Sequence, residues 1–566
     1  MVAEADDAAT ARLSRELPIH PLAARVLASR GLAEPAAAAR FLDARLEDLP
    51  DPFTMKGMEA AVARIVRAVE EGGRIACYGD YDVDGVTSTA LLAHFLAAAG
   101  ANVQTYTPHR LVEGYGLNTG AVERLAAAGV GLIVTLDCGI TSVAEVEAAR
   151  HLGVDVVVVD HHTVPVELPA AAAILNPYQP GCGYPSKHLA AVGVAFNLAL
   201  GLRRRLRQRG RFGASRPEPN LREALDLVAL GTVADVVPLV EVNRILVRWG
   251  LEELRRGKRP GVRALKRVAG IAEGTPVSAG QVGFRLGPRI NAAGRLDDAG
   301  RGVRLLLASD DATATPLAEE LDRENRARQE LERQMLEEAL ADAAARVAGG
   351  ARGLVLARDG WHPGVVGIVA ARIAERFHRP VVIVGVADGV GKGSGRSIEG
   401  FHLYDALAAC SAHLARFGGH RHAAGVTIAP ADVPAFRAAF ERHAAERLGE
   451  EDLVPCTRIE GWVEEALLDE RAAADLERLA PFGAGNPEPV FAVRARAERA
   501  RTVGAGGMHL KVSLASRDAI GFSLGDRLPL CGGPVEAAVT LGFDEWDGSR
   551  RLQLKLRDLR AAPGRE

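Results

Sequence analysis

The run YGDYDVDGVTS sets Asp80, Asp82 and Asp84 at alternate positions, after the apolar stretch RIACYG and before an Ala/Leu-rich helix pattern. Three carboxylates this close repel one another unless cations lie between them, so the cluster predicts hard-metal binding rather than stability. Alternation at the carboxyl end of a strand would aim them at one rim, with Gly85 letting the backbone turn into the next helix. Further acidic or histidine sites fall at the ends of predicted elements: Asp137 in VTLDCGI, Asp160-His161-His162 in VVVVDHHT, and Asp235 in GTVADVVPL. Taken singly, a strand-end aspartate usually caps a helix and a strand-end histidine can simply bond a carbonyl. Together, on neighbouring strands, they define a metal centre. Many carboxylates with few imidazoles suit Mn²⁺ or Mg²⁺ better than zinc. A carboxylate between two cations about 3.5–4 Å apart bridges them, and Asp137, on the strand between the other clusters, is the natural bridge. The chemistry is phosphoester hydrolysis. No Ser-His or Cys-His elbow motif is present, and Cys138 reads as a packing residue.

The elements that position these groups follow from periodicity. From Arg74 the pattern alternates strand and helix: RIACYG, a helix over 86–99, NVQTYT, a helix over 119–128, GLIVTLD, a helix over 142–151, and VDVVVVD. Continuous apolar strands flanked by helices predict a parallel sheet buried on both faces, whose ligands bind at the strands' carboxyl ends. Residues 1–70 read as an N-terminal helical cap and 71–310 as the metal-binding α/β domain. A long charged helix over 311–349 reads as a connecting strut. A second, smaller α/β domain follows over 350–450, and residues 451–566 read as a small β-barrel, OB-like.

The 566 residues have room for about three or four domains. A formal charge of −3 gives no overall attraction to nucleic acid, so a polyanion must be held by local basic surface. The acidic N-terminus lacks a signal-peptide pattern, and no apolar run is long enough to span a bilayer. Six scattered cysteines without CxxC spacing predict a reducing, cytoplasmic setting and neither disulfide framework nor zinc ribbon.

YGDYDVDG, LDCG, DHH and ADVVPL, in this order and spacing, resemble the DHH phosphoesterase superfamily. With WHPGVVGIVAARIAERF, GSGRS and FGGHRHAAG following, the chain resembles the superfamily's RecJ family of bacterial single-strand-specific exonucleases. The resemblance implies DHH and DHHA1 domains plus an OB-fold, and 5′→3′ exonuclease activity on single-stranded DNA that releases 5′-mononucleotides in repair and recombination. It places two Mn²⁺ ions (Mg²⁺ as the alternative) on Asp82, Asp84, Asp137, His161 and Asp235, with Asp80 a further ligand; relatives often carry a histidine where Tyr78 stands. Asp160 would orient an imidazole from behind, and His162 would touch the scissile phosphate. Arg110 and Tyr115 in PHRLVEGYGLN would contact substrate. So would Arg289, Asn291 and Arg295 in LGPRINAAGRLDDA, where the bland alternative is a structural loop. His362, the nest-like Ser394, Arg396 and Ser397, and Gly418, Gly419 and His420 would hold nucleotide phosphates and the strand end. Implied partners are single-stranded DNA, single-strand-binding protein and a RecQ-type helicase, with a monomer as the working state.

Three basic runs, RRRLRQR (203–209), RRGKRPGVRALKR (255–267) and RARAERAR (494–501), could track a backbone or be solvated faces. Phe522, Phe543 and Trp546 are the candidates for stacking on bases. The competing readings are a nanoRNase or cyclic-dinucleotide phosphodiesterase of the same superfamily, disfavoured by length, and a non-catalytic scaffold, disfavoured because every ligand position is filled.

Overall fold

The computed structural model describes residues 2–4, 6–110, 112–296, 298–544 and 550–563; Trp546 lies outside them. The chain divides into two compact units, one of Met1–Gly287, Gly302–Thr315 and Thr457–Glu566, the other of Pro288–Arg301 and Pro316–Cys456. Among the described residues no helix is long and apolar enough to cross a membrane.

In the first unit the expected apolar runs form β1 (Arg74–Gly79), β2 (Asn102–Tyr106), β3 (Val130–Leu136) and β4 (Asp155–Val159). A short β5 (Ala173–Leu175), too brief to leave a pattern, completes the sheet. All pairings are parallel and the order is β2-β1-β3-β4-β5. Chain order reverses between β1 and β3, the point at which such sheets open a ligand crevice. The ladder runs one residue past three strands. Asp80 N–H donates to Leu136 O at 3.0 Å, Asp137 N–H to Val159 O at 2.9 Å and Asp160 N–H to Leu175 O at 3.0 Å. Asp80, Asp137 and Asp160 therefore stand level along the rim, locked to the sheet by hydrogen bonds.

Helix Val83–Ala98 begins three residues before the expected start at 86, because Asp82 caps it: Oδ1 accepts N–H bonds from Asp84 (2.9 Å) and Gly85 (3.1 Å). The three aspartates consequently do not alternate along a strand, as the sequence suggested. Asp80 follows β1, Asp82 is the cap and Asp84 lies in the first helical turn. Gly85 allows this close turn, since a Cβ there would lie 2.5 Å from the Asp80 carbonyl oxygen.

The N-terminal residues do not build a core of their own. Helices Asp7–Glu16, Pro21–Ser29 and Pro35–Asp43 bury Leu13, Leu22, Leu27 and Leu42 in one cluster with Phe491, Val512, Val539 and Leu559 of the C-terminal sheet. Helix Met58–Glu71 instead packs against β5 and helix Ala191–Gln208. The C-terminal sheet consists of β11 (Phe491–Arg496), β12 (Glu498–Val503), β13 (His509–Leu514), β14 (Arg517–Gly521), β15 (Pro534–Asp544) and β16 (Arg551–Ala561), in the order β11-β15-β16-β14-β13-β12. Among the described residues no pairing joins β11 to β12.

The second unit carries most of the long helix, Asp311–Ala348, close to its expected span. Its sheet contains β6 (Leu354–Asp359), β7 (Val381–Ala387), β8 (Val390–Arg396), β9 (Arg416–Gly419) and β10 (Ala423–Ile428), ordered β6-β7-β8-β10-β9. Only β6 and β7 run parallel. LGPRINAAGRL is helical (Gly287–Leu296), not a loop.

Candidate metal centre

The rim gathers every residue predicted to ligate a cation. Oxygen and nitrogen atoms of Asp80, Asp82 and Asp137 lie within 4.8 Å of one another, as do those of Asp84, His161 and Asp235, and those of Asp137, His161 and His162. His161 Nε2 stands 3.2 Å from Asp137 Oδ1, 3.4 Å from Asp235 Oδ2 and 3.7 Å from Asp84 Oδ2. Asp137 and His161 each belong to two of the three groups, and Asp137 alone of the carboxylates does so, at the middle strand of the sheet. Its φ of 67° is a strained choice for a side chain with a Cβ, and it turns the chain sharply at the site.

Burial decides the electrostatics. Asp80, Asp84 and Asp137 are each at most 2% exposed. Burial and the charge of Asp82 push Asp80 well above the carboxylate range and Asp84 up to about 7. Burial, with the charges of Asp82, Asp84 and Asp235, drives Asp137 up, and burial with Asp84 and Asp82 takes Asp235 up to about 9. Burial and the neighbouring His162 lower His161 to about 4, leaving a neutral ring with a lone pair to give. Burial opposes charge on His162 too, but the hydrogen bond and charge of Asp160 outweigh it and carry the ring up to about 9.

Asp80 Oδ1, Asp137 Oδ1 and His161 Nε2 are buried yet make no hydrogen bond. Orphaned acceptors of this kind, converging in a pocket of mutually repelling carboxylates, fit divalent cations with oxygen-rich coordination, Mn²⁺ or Mg²⁺. Asp84 is pinned from the far side: Oδ2 accepts the Ala191 N–H at 2.6 Å and Oδ1 the Val192 N–H at 2.8 Å, both at the start of helix Ala191–Gln208. Sequence reasoning missed these two donors, since a backbone N–H in an apolar run leaves no signal.

Beside the candidate ligands, Tyr115 donates its hydroxyl to Asp137 O at 3.2 Å and packs edge-on to His162. The Arg110 guanidinium lies 5.0 Å from the Tyr81 ring centroid, which meets Tyr115 edge-on at 6.4 Å. Tyr81 was missed, although its place between Asp80 and Asp82 was the available signal. Tyr78 turns away from the rim and packs in the sheet's core, its hydroxyl on Gly116 O at 2.9 Å.

The remaining predicted contacts belong to the other unit. Arg295 Nη1 donates to Gly364 O at 2.9 Å, the Gly364 N–H donates to His362 Nδ1 at 3.1 Å, and Arg396 Nη1 donates to Ser394 Oγ at 3.0 Å. A Cβ on Gly367 would lie 3.0 Å from Ser394 Oγ, so Arg295, His362, Ser394 and Arg396 gather around residues 362–367. Arg289 is engaged by Asp322 at 2.9 Å, and Asn291 shares its helix. Gly418 and Gly419 lie on the edge strand β9, with His420 exposed in the turn beyond.

One expectation needs correction. GSGRS is not an anion-binding nest: β8 lies between β7 and β10, and its backbone is spent on those ladders. Its glycines serve packing, as a Cβ on Gly393 would lie 2.7 Å from Val426 Cγ2. Ser397 likewise bonds Phe401 O at 2.8 Å. Of the two readings open for the first two basic runs, the ion pairs favour solvated faces. Arg203 and Arg207 meet Glu218, Arg204 meets Asp51, Arg205 meets Glu59, Lys258 meets Glu223, Arg259 meets Asp226 and Arg263 meets Asp311.

A parallel α/β sheet with divalent-metal ligands at its carboxyl rim, ending one strand in Asp-His-His, defines a DHH-type phosphoesterase. Residues 74–232 match the DHH family, N-terminal domain; residues 350–446 match the DHHA1 domain and 459–558 the RecJ OB domain. The chain is 42% identical over 566 residues to the single-stranded-DNA-specific exonuclease RecJ of Escherichia coli (strain K12), covering 96% of each. It is 39% identical over 559 residues to that of Bacillus subtilis (strain 168), covering 96% of this chain and 69% of the other. The crystal structure of RecJ in complex with Mn²⁺ from Thermus thermophilus superposes with a TM-score of 0.85 at 36% identity, covering 100% of this chain and 79% of that one. The chain belongs to the RecJ family.

Proposed function

We propose that this protein is a single-strand-specific DNA exonuclease that hydrolyses phosphodiester bonds with two divalent cations, working 5′→3′ and releasing 5′-mononucleotides in repair and recombination. The observation that carries the reading is the convergence of buried, unpartnered Asp80, Asp137 and His161 atoms among the other rim carboxylates. Asp82, Asp84, Asp137, His161 and Asp235, with Asp80, would hold the cations, with Asp137 as the shared ligand. Bound Mn²⁺ or Mg²⁺ supplies Lewis acidity that readies water and screens charge at phosphorus.

The chain's own groups do the positioning. Asp84 is fixed by the Ala191 and Val192 N–H groups before any substrate arrives, so little reorganisation is needed at reaction. Asp160 orients His162, which donates to a non-bridging oxygen of the scissile phosphate. Tyr115 and Arg110, the latter resting on Tyr81, line the approach to the rim. Arg295, His362, Ser394 and Arg396 form the second unit's contact with strand phosphates, and Gly418, Gly419 and His420 border it. Single-strand-binding protein and a RecQ-type helicase as partners, and a monomeric working state, belong to the same reading through the family. The experiment is incubation of 5′- and 3′-labelled single strands and blunt duplex with Mn²⁺, then with chelator. Mononucleotide release from the 5′ end, stopped by chelator and absent on duplex, is expected; metal-independent cleavage contradicts it.

A further inference from the structure

Asp235 closes helix Leu225–Ala234, and residues 236–240 lead from it to helix Glu241–Arg256. This link is strained at both ends: Val236 has φ 61° and Glu241 φ 46°, values that side chains with a Cβ adopt only under constraint. The constraint comes from far along the chain. Leu239, buried, donates its N–H to Ala484 O at 2.7 Å. Gly485, at φ 69°, fits directly against the link, since a Cβ there would lie 2.9 Å from Pro238 Cβ; one on Gly483 would lie 2.8 Å from Leu239 Cδ1.

A second hold comes from Asn243, which is fully buried. Its Nδ2 donates to Pro238 O at 3.0 Å and to His188 O at 2.5 Å. His188 precedes Ala191 and Val192, whose N–H groups fix Asp84. One amide thus ties the link after Asp235 to the loop that cradles Asp84. The neighbouring Arg244 secures the distant segment, donating to Leu479 O at 2.6 Å and Arg478 O at 3.1 Å, and ties it to helix Pro35–Asp43 through Phe41 O at 2.8 Å. Asn486 closes that segment on itself through Leu479 O at 2.9 Å and Pro481 O at 2.8 Å.

We infer that Asn243 and the segment 479–486 are positioning elements that set the spacing of Asp84 and Asp235 for cation binding. The C-terminal part of the chain is then a working component of the metal centre as well as a domain in its own right. This rests on the reading of Asp84 and Asp235 as ligands.

The test is calorimetric titration of the full-length protein with Mn²⁺ in the absence of DNA, for Asn243→Leu, Gly485→Ala and, as reference, Asp235→Ala. Asn243→Leu removes both donors without adding charge; Gly485→Ala pushes on Pro238 without removing a hydrogen bond. Both should bind Mn²⁺ about 10- to 100-fold more weakly, regain turnover at high Mn²⁺, keep the parent's KM for the strand and still melt cooperatively in chelator. Mn²⁺ binding within twofold of the parent in either folded variant overturns the inference, as does failure of both to fold. If Asp235→Ala itself leaves Mn²⁺ binding unchanged, the ligand reading fails instead.

Discussion

Asp160 Oδ1 lies 2.7 Å from Nδ1 of His162 and also accepts the backbone N–H groups of His161 and His162, at 2.7 and 3.1 Å. Its Oδ2 takes the Ile140 N–H at 3.0 Å. One carboxylate therefore fixes the histidine pair, and the imidazole it orients is that of His162, while His161 turns its Nε2 toward Asp137, Asp84 and Asp235. The adjacent histidines are thus set apart electrostatically: burial lowers His161, while the hydrogen bond and charge of Asp160 raise His162.

Replacing Asp160 by alanine should accordingly lower turnover by about 10- to 100-fold with little change in KM. Steady-state hydrolysis of a labelled single strand measures both. Unaltered turnover would mean that the orientation of His162 has no part in the reaction.

Asp137→Ala removes the carboxylate common to two ligand groups. Cleavage should fall by at least about 10³-fold, the scale of losing a principal electrostatic stabiliser. DNA affinity by fluorescence anisotropy should stay close to the parent's, because the variant leaves Arg110, Arg295 and Arg396, the proposed phosphate contacts, in place. Equal turnover in this variant would dismiss Asp137 as the bridge.

Stability should depend on pH and metal together. Without cations, Asp84 titrates near 7 and Asp235 near 9, against an unfolded value of about 4. An acid raised in this way contributes stability that is full below about pH 4 and is lost as pH climbs through the folded values. Cations offset both the burial penalty and the repulsion of the charged acids, so the rise in Tm on adding Mn²⁺ should be larger at about pH 8 than at about pH 5. Melting curves with and without Mn²⁺ decide; equal shifts at both pH values would contradict the electrostatics of the rim.

In the second unit, Gly393→Ala drives a methyl toward Val426 Cγ2 at 2.7 Å and Ile383 O at 2.9 Å. Overpacking of this kind should cost about 1–3 kcal/mol, read as a lower urea midpoint. Mn²⁺ binding, which depends on the other unit, should be unchanged. A neutral effect on the midpoint would show that the strand can yield.

Much of the first sheet was legible because its strands are continuous apolar runs, and each of β1, β3 and β4 ends in an acid that has no place in a core. The same feature marked the rim as a candidate metal site, while the set of ligands assigned to it came from the resemblance. What the sequence hid was non-local. Nothing near Asp84 announces that Ala191 and Val192 will hold it. The pairing of Arg204 with Asp51, like that of Arg259 with Asp226, depends on how distant segments meet, so the sequence left the basic runs open between a phosphate track and a solvated face. GSGRS misled because glycine serves a phosphate nest and a crowded central strand equally well, and only the neighbours of β8 distinguish them. Helices 7–43 read as a cap because their partner lies more than four hundred residues away in the chain.

That last separation has a cost during synthesis. Leu13, Leu27 and Leu42 leave the ribosome long before Val512, Val539 and Leu559 exist to cover them. At about 5–20 residues per second the wait is roughly half a minute to two minutes. For that interval the nascent chain carries an uncovered apolar leading end, a liability that falls within translation rather than after it.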